Sequence, residues 1–152
     1  EDARDEFARS VDLTSNAWAY HGLACLYLKS DPEKAKQFIM DGMALQRERL
    51  SYQKEGFKIL EKCGAYKEID EEYKKQTAEN QKNGRIQYYY VAALEKLERN
   101  EEAYHLLNDG DGIDVSDIRE GDSDIQSIWE SLHEKVYGEK GHLPHYYNFK
   151  VN

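Results

Sequence analysis

Residues 52–60 read YQKEGFKIL, and the stretches that lie 34 positions to either side, residues 18–26 (WAYHGLACL) and 86–94 (IQYYYVAAL), repeat their apolar pattern. The aligned columns are Trp18, Tyr52 and Ile86; Gly22, Gly56 and Tyr90; Leu23, Phe57 and Val91; and Leu26, Leu60 and Leu94. Within each stretch the apolar positions are three or four residues apart, which is typical of one face of an α-helix. The period therefore predicts a helix that recurs every 34 residues.

A second helix in each repeat is predicted from columns further along the chain. These columns are Ala35, Ile69 and Ala103, and then Ile39, Tyr73 and Leu107. Helix-ending signals separate the two halves, namely Asp31-Pro32, Gly64 and Asn100. Capping side chains, proline at the first helical position and glycine after the last one all mark helix ends. The sequence thus predicts three helix-turn-helix repeats, over residues 15–48, 49–82 and 83–110.

This 34-residue hairpin resembles the tetratricopeptide repeat (TPR) family, which carries an alanine near the start of the second helix. Ala35 and Ala103 match that alanine, whereas Ile69 is bulkier. Trp18 and Gly22 lie one residue out of the family's register, so we expect one extra residue in the first inter-helix turn. The resemblance implies an all-α fold, an α-solenoid of stacked TPR-like hairpins.

The flanking segments fit the same architecture. Residues 1–12 are expected to be the second helix of a preceding repeat, and its open apolar edge could pair two copies into a homodimer. Residues 111–122 form an acidic linker, and residues 138–152 are aromatic enough to pack back on the array. Residues 123–137 are predicted to be a capping helix, with an apolar face made of Ile125, Ile128, Trp129, Leu132 and Val136.

The composition excludes several classes of function. A chain of 152 residues with 39% apolar residues can form one domain with a packed core. Its net charge of −9 opposes binding to phosphate backbones and to anionic lipid. No run approaches the roughly 20 apolar residues that cross a bilayer. We therefore expect neither nucleic acid nor membrane as a partner. Because two cysteines are too few for a disulfide-stapled secreted protein, we also expect a cytoplasmic protein.

The motifs of metal and cofactor sites are incomplete in this sequence. Four acidic residues match EF-hand positions, but Ile113 and Asp114 stand where that loop needs an oxygen ligand and a glycine. His142 and His145 are too few for a structural zinc site. Cys25 and Cys63 are expected to be buried, unpaired side chains. We predict no catalytic residue, no metal and no cofactor.

The TPR resemblance also implies a binding surface. In that family the first helices line a concave groove, and the matching positions here include Tyr20, Ala24, Tyr27, Lys54, Lys58, Arg85 and Tyr88. Tyrosine and arginine are enriched at interface hot spots. The resemblance implies a non-catalytic module that binds a protein or peptide in this groove, unless the chain's own tail fills it. Of the residues that grip chaperone-tail carboxylates in this family, only Arg85 is matched, so no such clamp is expected.

The end of the chain resembles the C-terminal repeat region of large bacterial proteins that begin with an uncharacterised, carbohydrate-type β-sandwich domain. This resemblance depends on residues 117–122, 128–129 and 144–150. It implies that the bound partner is either another protein or the N-terminal domain of the same polypeptide. The alternative function is an accessory part of a carbohydrate-active enzyme, in which the acidic loop around Asp117, Glu120 and Asp122 would reach a sugar site.

Overall fold

The computed structural model describes residues 3–110, 112–116, 125–139 and 141, and gives only the backbone for residues 3–13. In these ranges the secondary structure is helical, without strands, and the prediction of an all-α fold is confirmed. The helices are α1 (Ala3–Tyr27), α2 (Pro32–Leu45), α3 (Leu50–Lys62), α4 (Tyr66–Lys74), α5 (Ala78–Gln81), α6 (Gly84–Lys96), α7 (Asn100–Asn108) and α8 (Ile125–Tyr137). Even the 25-residue α1 lacks the sustained apolarity that crossing a bilayer would need, and so does every other described helix.

The helix boundaries recur at the period of the sequence pattern. Helices α2, α4 and α7 begin at Pro32, Tyr66 and Asn100, each 34 positions after the previous one. Helices α3 and α6 begin at Leu50 and Gly84, which are again 34 positions apart, and both are 13 residues long. The first and second helices of the second and third predicted repeats therefore start at the same spacing, and the second repeat also contains the short helix α5.

The turns between paired helices show why the boundaries recur. In the second and third repeats three residues connect the helices, and Gly64 (φ 68°) and Glu98 (φ 62°) adopt the left-handed conformation at equivalent positions. Such a residue ends a helix by redirecting the chain. The first turn, residues 28–31, is one residue longer. There the Asp31 carboxylate accepts a hydrogen bond from the Lys34 amide at 3.2 Å. The extra residue expected in the first turn is present.

Helix α1 differs from the prediction at its N-terminal end. Residues 1–12 were expected to form a separate helix, but α1 runs from Ala3 to Tyr27 without a break. The physical reason is that this stretch contains no proline and that its single glycine, Gly22, lies well beyond the expected boundary. The side chains of residues 3–13, and with them the predicted dimerisation edge, lie outside the described part of the chain.

The chain divides into two compact units, Glu1–Ala65 and Tyr66–Asn152. The boundary lies within the second predicted repeat, so α3 belongs to the first unit and α4 to the second. In the first unit α2 packs against both α1 and α3. The buried side chains of this unit include Ala17, Ala24, Ala35, Ile39, Met43, Tyr52, Phe57 and Leu60.

Two glycines allow α2 and α3 to approach closely. A β-carbon on Gly42 of α2 would overlap the ring and hydroxyl of Tyr52, and a β-carbon on Gly56 of α3 would overlap the side chain of Met43. Each large side chain therefore occupies the space that a glycine leaves on the facing helix. This interdigitation fixes the register of α2 on α3, because a shift by one residue would bring a β-carbon into the same space.

In the second unit α6 packs against α4 and α7, and α7 packs against α8. The core consists of Tyr90, Val91, Leu94, Ala103, Leu107, Ile113, Val115, Ile125, Trp129 and Leu132. The indole of Trp129 on α8 donates a hydrogen bond to Asn108 Oδ1 at 2.8 Å, which anchors α8 to the end of α7. Of the predicted apolar face, Ile125, Trp129 and Leu132 are thus buried in the core that α8 shares with α7, and Ile128 packs at its edge.

Candidate interaction surfaces

Three of the predicted groove residues lie on the face of α1 that packs against α2. Ala24 is completely buried there. The rings of Tyr20 and Tyr27 lie against Phe38 of α2, with centroids 6.2 and 5.8 Å apart. Lys34 Nζ lies 4.7 Å from the centroid of the Tyr27 ring, a cation–π contact. These side chains join the two helices of the first hairpin, and Ala24 cannot contact a partner in this structure.

The large apolar side chains of α1 lie at its surface instead. The exposed fraction is 39% for Trp18, 37% for Leu23 and 71% for Leu26. The longer first turn shifts α1 by one position relative to α2, and one position rotates a helix face by about 100°. The buried face of α1 is therefore rotated away from the face that the 34-residue columns predict.

The two predicted lysines of α3 lie on its accessible side. Lys58 is exposed, and Lys54 is half-buried. Glu55 lies between these two lysines in the sequence, and its Oε2 is 3.4 Å from Nε2 of His21 on α1. These two side chains form an ion pair between α1 and α3 when the imidazole is protonated. The accessible side of α3 in the first unit thus carries two lysines next to the contact of Glu55 with His21.

In the second unit the predicted residues Arg85 and Tyr88 lie half-buried on α6. The start of this helix is held by Asn83, whose Oδ1 accepts hydrogen bonds from the amides of Arg85 and Ile86, both at 3.1 Å. Tyr88 lies at the edge of the core, and its ring centroid is 5.7 Å from that of Tyr89. The capped first turn thus fixes the start of the helix that carries Arg85 and Tyr88.

An ion-pair network at the start of α7 was not predicted. Arg99 lies 2.8 Å from Asp70 of α4 and 2.6 Å from Glu102, and Lys74 adds a 3.4 Å pair with Asp70. Burial alone would raise the pKa of Asp70, but the hydrogen bond and charge of Arg99, with Lys74, hold that pKa below its usual range. The two local ion pairs, Asp70 with Lys74 and Arg99 with Glu102, have the four- and three-residue spacing that can be recognised in a sequence. The link between Asp70 and Arg99 depends on the packing of α4 near α7.

The two thiols are free but differ in their surroundings. Cys63 is half-buried, and burial raises the pKa of its thiol. Cys25 is exposed, so the prediction that both cysteines are buried is wrong for Cys25. Across the described residues, no three His, Cys, Asp or Glu side chains come together in a group that could hold a metal ion.

Two predicted features fall outside the described residues. One is most of the acidic segment, including Asp117, Glu120 and Asp122, on which the alternative carbohydrate function depends. The other is the aromatic segment from residue 142 onwards. The short stretch of residues 112–116 is described, and within it Ile113 and Val115 are buried in the core of the second unit.

No protein-family model, no curated protein and no solved structure matches this chain.

Proposed function

We propose that the chain is a non-catalytic helical-repeat module, an α-solenoid of TPR-like hairpins that binds a protein or peptide. The observation that supports this function best is the recurrence of helix starts. Three second helices and two first helices begin at intervals of 34 residues. Hairpins that repeat in this way bury apolar faces against their neighbours and leave an extended surface, which repeat proteins use for binding.

Each unit carries its own accessible members of the predicted set as proposed contact residues: Lys54 and Lys58 on α3 in the first unit, and Arg85 and Tyr88 on α6 in the second. Three of these four are basic, in a protein whose net charge is −9. Helix α3 as a whole carries three lysines and two glutamates, and this small excess of positive charge favours an acidic partner segment and speeds its association. The aromatic ring of Tyr88 would supply an apolar contact of the kind found at hot spots. The partner is therefore an acidic segment with apolar anchors, from another protein or from a further domain of the same polypeptide.

Site-specific photo-cross-linking tests where a partner binds. A benzophenone amino acid replaces Lys58 in one variant and the exposed Lys75 in the control, and both are irradiated in cells that express the whole protein. We expect a protein adduct at position 58 that is absent at position 75. Identical adducts at the two positions would contradict a specific role for α3.

The affinity of the purified adduct partner then tests the charge argument. The double variant Lys54→Glu with Lys58→Glu should bind it at least about tenfold more weakly, which corresponds to about 1.4 kcal/mol. The matched control, Lys75→Glu with Lys82→Glu, changes the net charge by the same amount at exposed positions. Equal weakening by both double variants would show a general charge effect and would remove α3 from the binding surface.

A further inference from the structure

Three side chains of the first unit lie in series as a thiol, an imidazole and a carboxylate. On α1, Sγ of Cys25 lies 4.0 Å from Nδ1 of His21, which is four residues earlier on the same side of the helix. The other ring nitrogen, Nε2, lies 3.4 Å from Oε2 of Glu55 on α3. The two contacts use opposite nitrogens of one ring, so His21 connects the thiol to the carboxylate. The proposed function makes no use of this arrangement.

The carboxylate determines which nitrogen of His21 can accept a proton. Because the carboxylate of Glu55 only accepts hydrogen bonds, the neutral imidazole carries its proton on Nε2 and donates it to Oε2. Nδ1 is then an acceptor, and it faces the thiol of Cys25. When Nδ1 takes the thiol proton, the negative charge of Glu55 stabilises the imidazolium that forms. These are the relations that join a nucleophile, its base and an orienting group, and their contacts are often long before a reagent binds.

The imidazole ring is held in this orientation by two aromatic side chains. Its centroid lies 5.2 Å from that of Trp18 and 6.4 Å from that of Tyr52, and both contacts are edge-on. Tyr52 is completely buried, and burial, with a smaller contribution from the charge of Cys25, raises the pKa of its hydroxyl well above the ordinary value. Tyr52 therefore stays protonated near neutral pH and does not add a competing anion beside the thiol.

The sulfur of Cys25 is accessible to small molecules. Cys25 is exposed, and so is Gly22, its neighbour one turn earlier on α1. A β-carbon on Gly22 would meet nothing within 4 Å, so the helix surface beside the sulfur is open. Cys63 is half-buried by contrast, and burial raises the pKa of its thiol. The two thiols of the chain should therefore differ in reactivity.

The position of Cys25 inside a helix limits the reactions that its thiol can carry out. Acyl transfer needs hydrogen-bond donors for a developing oxyanion, and backbone N–H groups commonly supply them. Around Cys25 the backbone amides lie within α1 and donate to the carbonyl groups four residues earlier. Exchange with a disulfide has no such requirement, because the leaving group is a thiolate that water solvates. A disulfide is therefore the class of reagent that this site suits best.

We propose that Cys25 is a nucleophilic thiol that forms mixed disulfides with small, soluble disulfides, with His21 as its base and Glu55 as the residue that positions the imidazole. The thiol proton moves to Nδ1 of His21, and the thiolate attacks one sulfur of the reagent. A bond forms between Sγ of Cys25 and that sulfur while the S–S bond of the reagent breaks. The leaving thiolate takes the proton from the imidazolium and departs as a thiol. Cys25 is thereby oxidised, and the released half of the reagent is reduced.

The test measures the rate of exchange with dithiodipyridine, an uncharged aromatic disulfide whose released thiopyridone is followed by its absorbance. Two full-length chains with a single thiol are compared at neutral pH: Cys63→Ser, which keeps Cys25, and Cys25→Ser, which keeps Cys63. We expect Cys25 to react at least about tenfold faster than Cys63 in the folded chains. In concentrated urea the two rates should converge. The rate of Cys25 should fall there, after correction for the effect of urea on a free small thiol, because its contact with His21 is lost.

The variants His21→Asn and Glu55→Gln, made in the chain that keeps Cys25, test the two supporting residues. We expect exchange to slow by about tenfold without the imidazole and by about threefold without the carboxylate charge. Glu55→Gln conserves size at a partly exposed position, so it keeps the test decisive if His21→Asn does not fold, which circular dichroism shows. Two matched controls at exposed positions should leave the rate unchanged: His105→Asn and Glu48→Gln.

Three results would overturn the proposal. The first is a rate for Cys25 that is no higher in the folded chain than in urea. The second is a rate in His21→Asn or in Glu55→Gln that equals the rate of its control, because that residue would then have no part in the exchange. The third is an adduct that mass spectrometry of the original chain finds on Cys63 and not on Cys25. None of these measurements uses a binding partner, so failure of the proposed function leaves them unaffected.

Discussion

One added methyl group should have opposite effects at two glycines of the first unit. In Gly42→Ala the new β-carbon would overlap Tyr52 and lie 3.2 Å from Tyr20 Cβ. Tyr52 is completely buried, and its hydroxyl donates a 2.5 Å hydrogen bond to the carbonyl oxygen of Ala17. The ring therefore cannot move aside without losing that bond. In Gly22→Ala the same methyl group would meet nothing within 4 Å.

The expected magnitudes follow from these surroundings. Replacing glycine by alanine inside a helix stabilises it by about 1 kcal/mol, and this is the whole effect expected for Gly22→Ala. For Gly42→Ala the same gain is opposed by loss of a hydrogen bond, about 1 kcal/mol, and by displacement of a buried ring, about 1–3 kcal/mol. We therefore expect Gly42→Ala to destabilise the first unit by about 1–3 kcal/mol.

Urea unfolding measures both changes. Far-ultraviolet circular dichroism follows all helices, and tryptophan fluorescence reports on Trp18, which contacts Tyr52 in the first unit, together with Trp129 in the second unit. Agreement between the two signals shows whether a single transition describes the data. If Gly42→Ala proved as stable as Gly22→Ala, the Tyr52 ring would not lie against Gly42, and the described packing of α2 on α3 would be refuted.

Two further predictions concern the second unit. Gly84→Ala should destabilise this unit and increase amide-hydrogen exchange in residues 112–116, because a β-carbon there would overlap the backbone carbonyl of Asp114; unchanged exchange would contradict that contact. The pKa of Asp70 is lower in the folded chain than its unfolded value of about 3.9. Its pair with Arg99 therefore stabilises the fold above that pH, and this contribution is lost as the pH falls through the folded pKa. Urea unfolding between pH 7 and pH 3 should show a flatter pH dependence for Asp70→Asn, and identical slopes would contradict the assignment.

The sequence is sufficient for the helices and their period because the signals that define them are local. Apolar spacing of three and four residues predicts a helix wherever it occurs, and Gly64 and Pro32 end or begin helices through their own backbone geometry. Helix α8 could be predicted for the same reason, since Trp129 and Leu132 lie on one apolar face. These features can be predicted without knowing which helices pack against one another.

The face that each helix buries is less local, and here the prediction for α1 failed. Ala24 is completely buried and Leu26 is 71% exposed, although the apolar spacing of α1 is compatible with burial of either residue. The pair of Asp70 with Arg99 was missed because the two residues are 29 positions apart and meet through packing in the second unit. Turn length and helix contacts must be known before such features can be predicted.

The different burial of Leu26, Leu60 and Leu94, which share one column of the 34-residue pattern, is tested most directly by thiol labelling. Leu26→Cys, Leu60→Cys and Leu94→Cys are made singly in a chain that carries Cys25→Ser and Cys63→Ser. The side chain is 71% exposed at position 26 and completely buried at positions 60 and 94. We predict rapid labelling at position 26. Labelling at positions 60 and 94 should be roughly a hundredfold slower or more, because it requires opening of a unit stabilised by several kcal/mol. Equal labelling rates at the three positions would contradict the account.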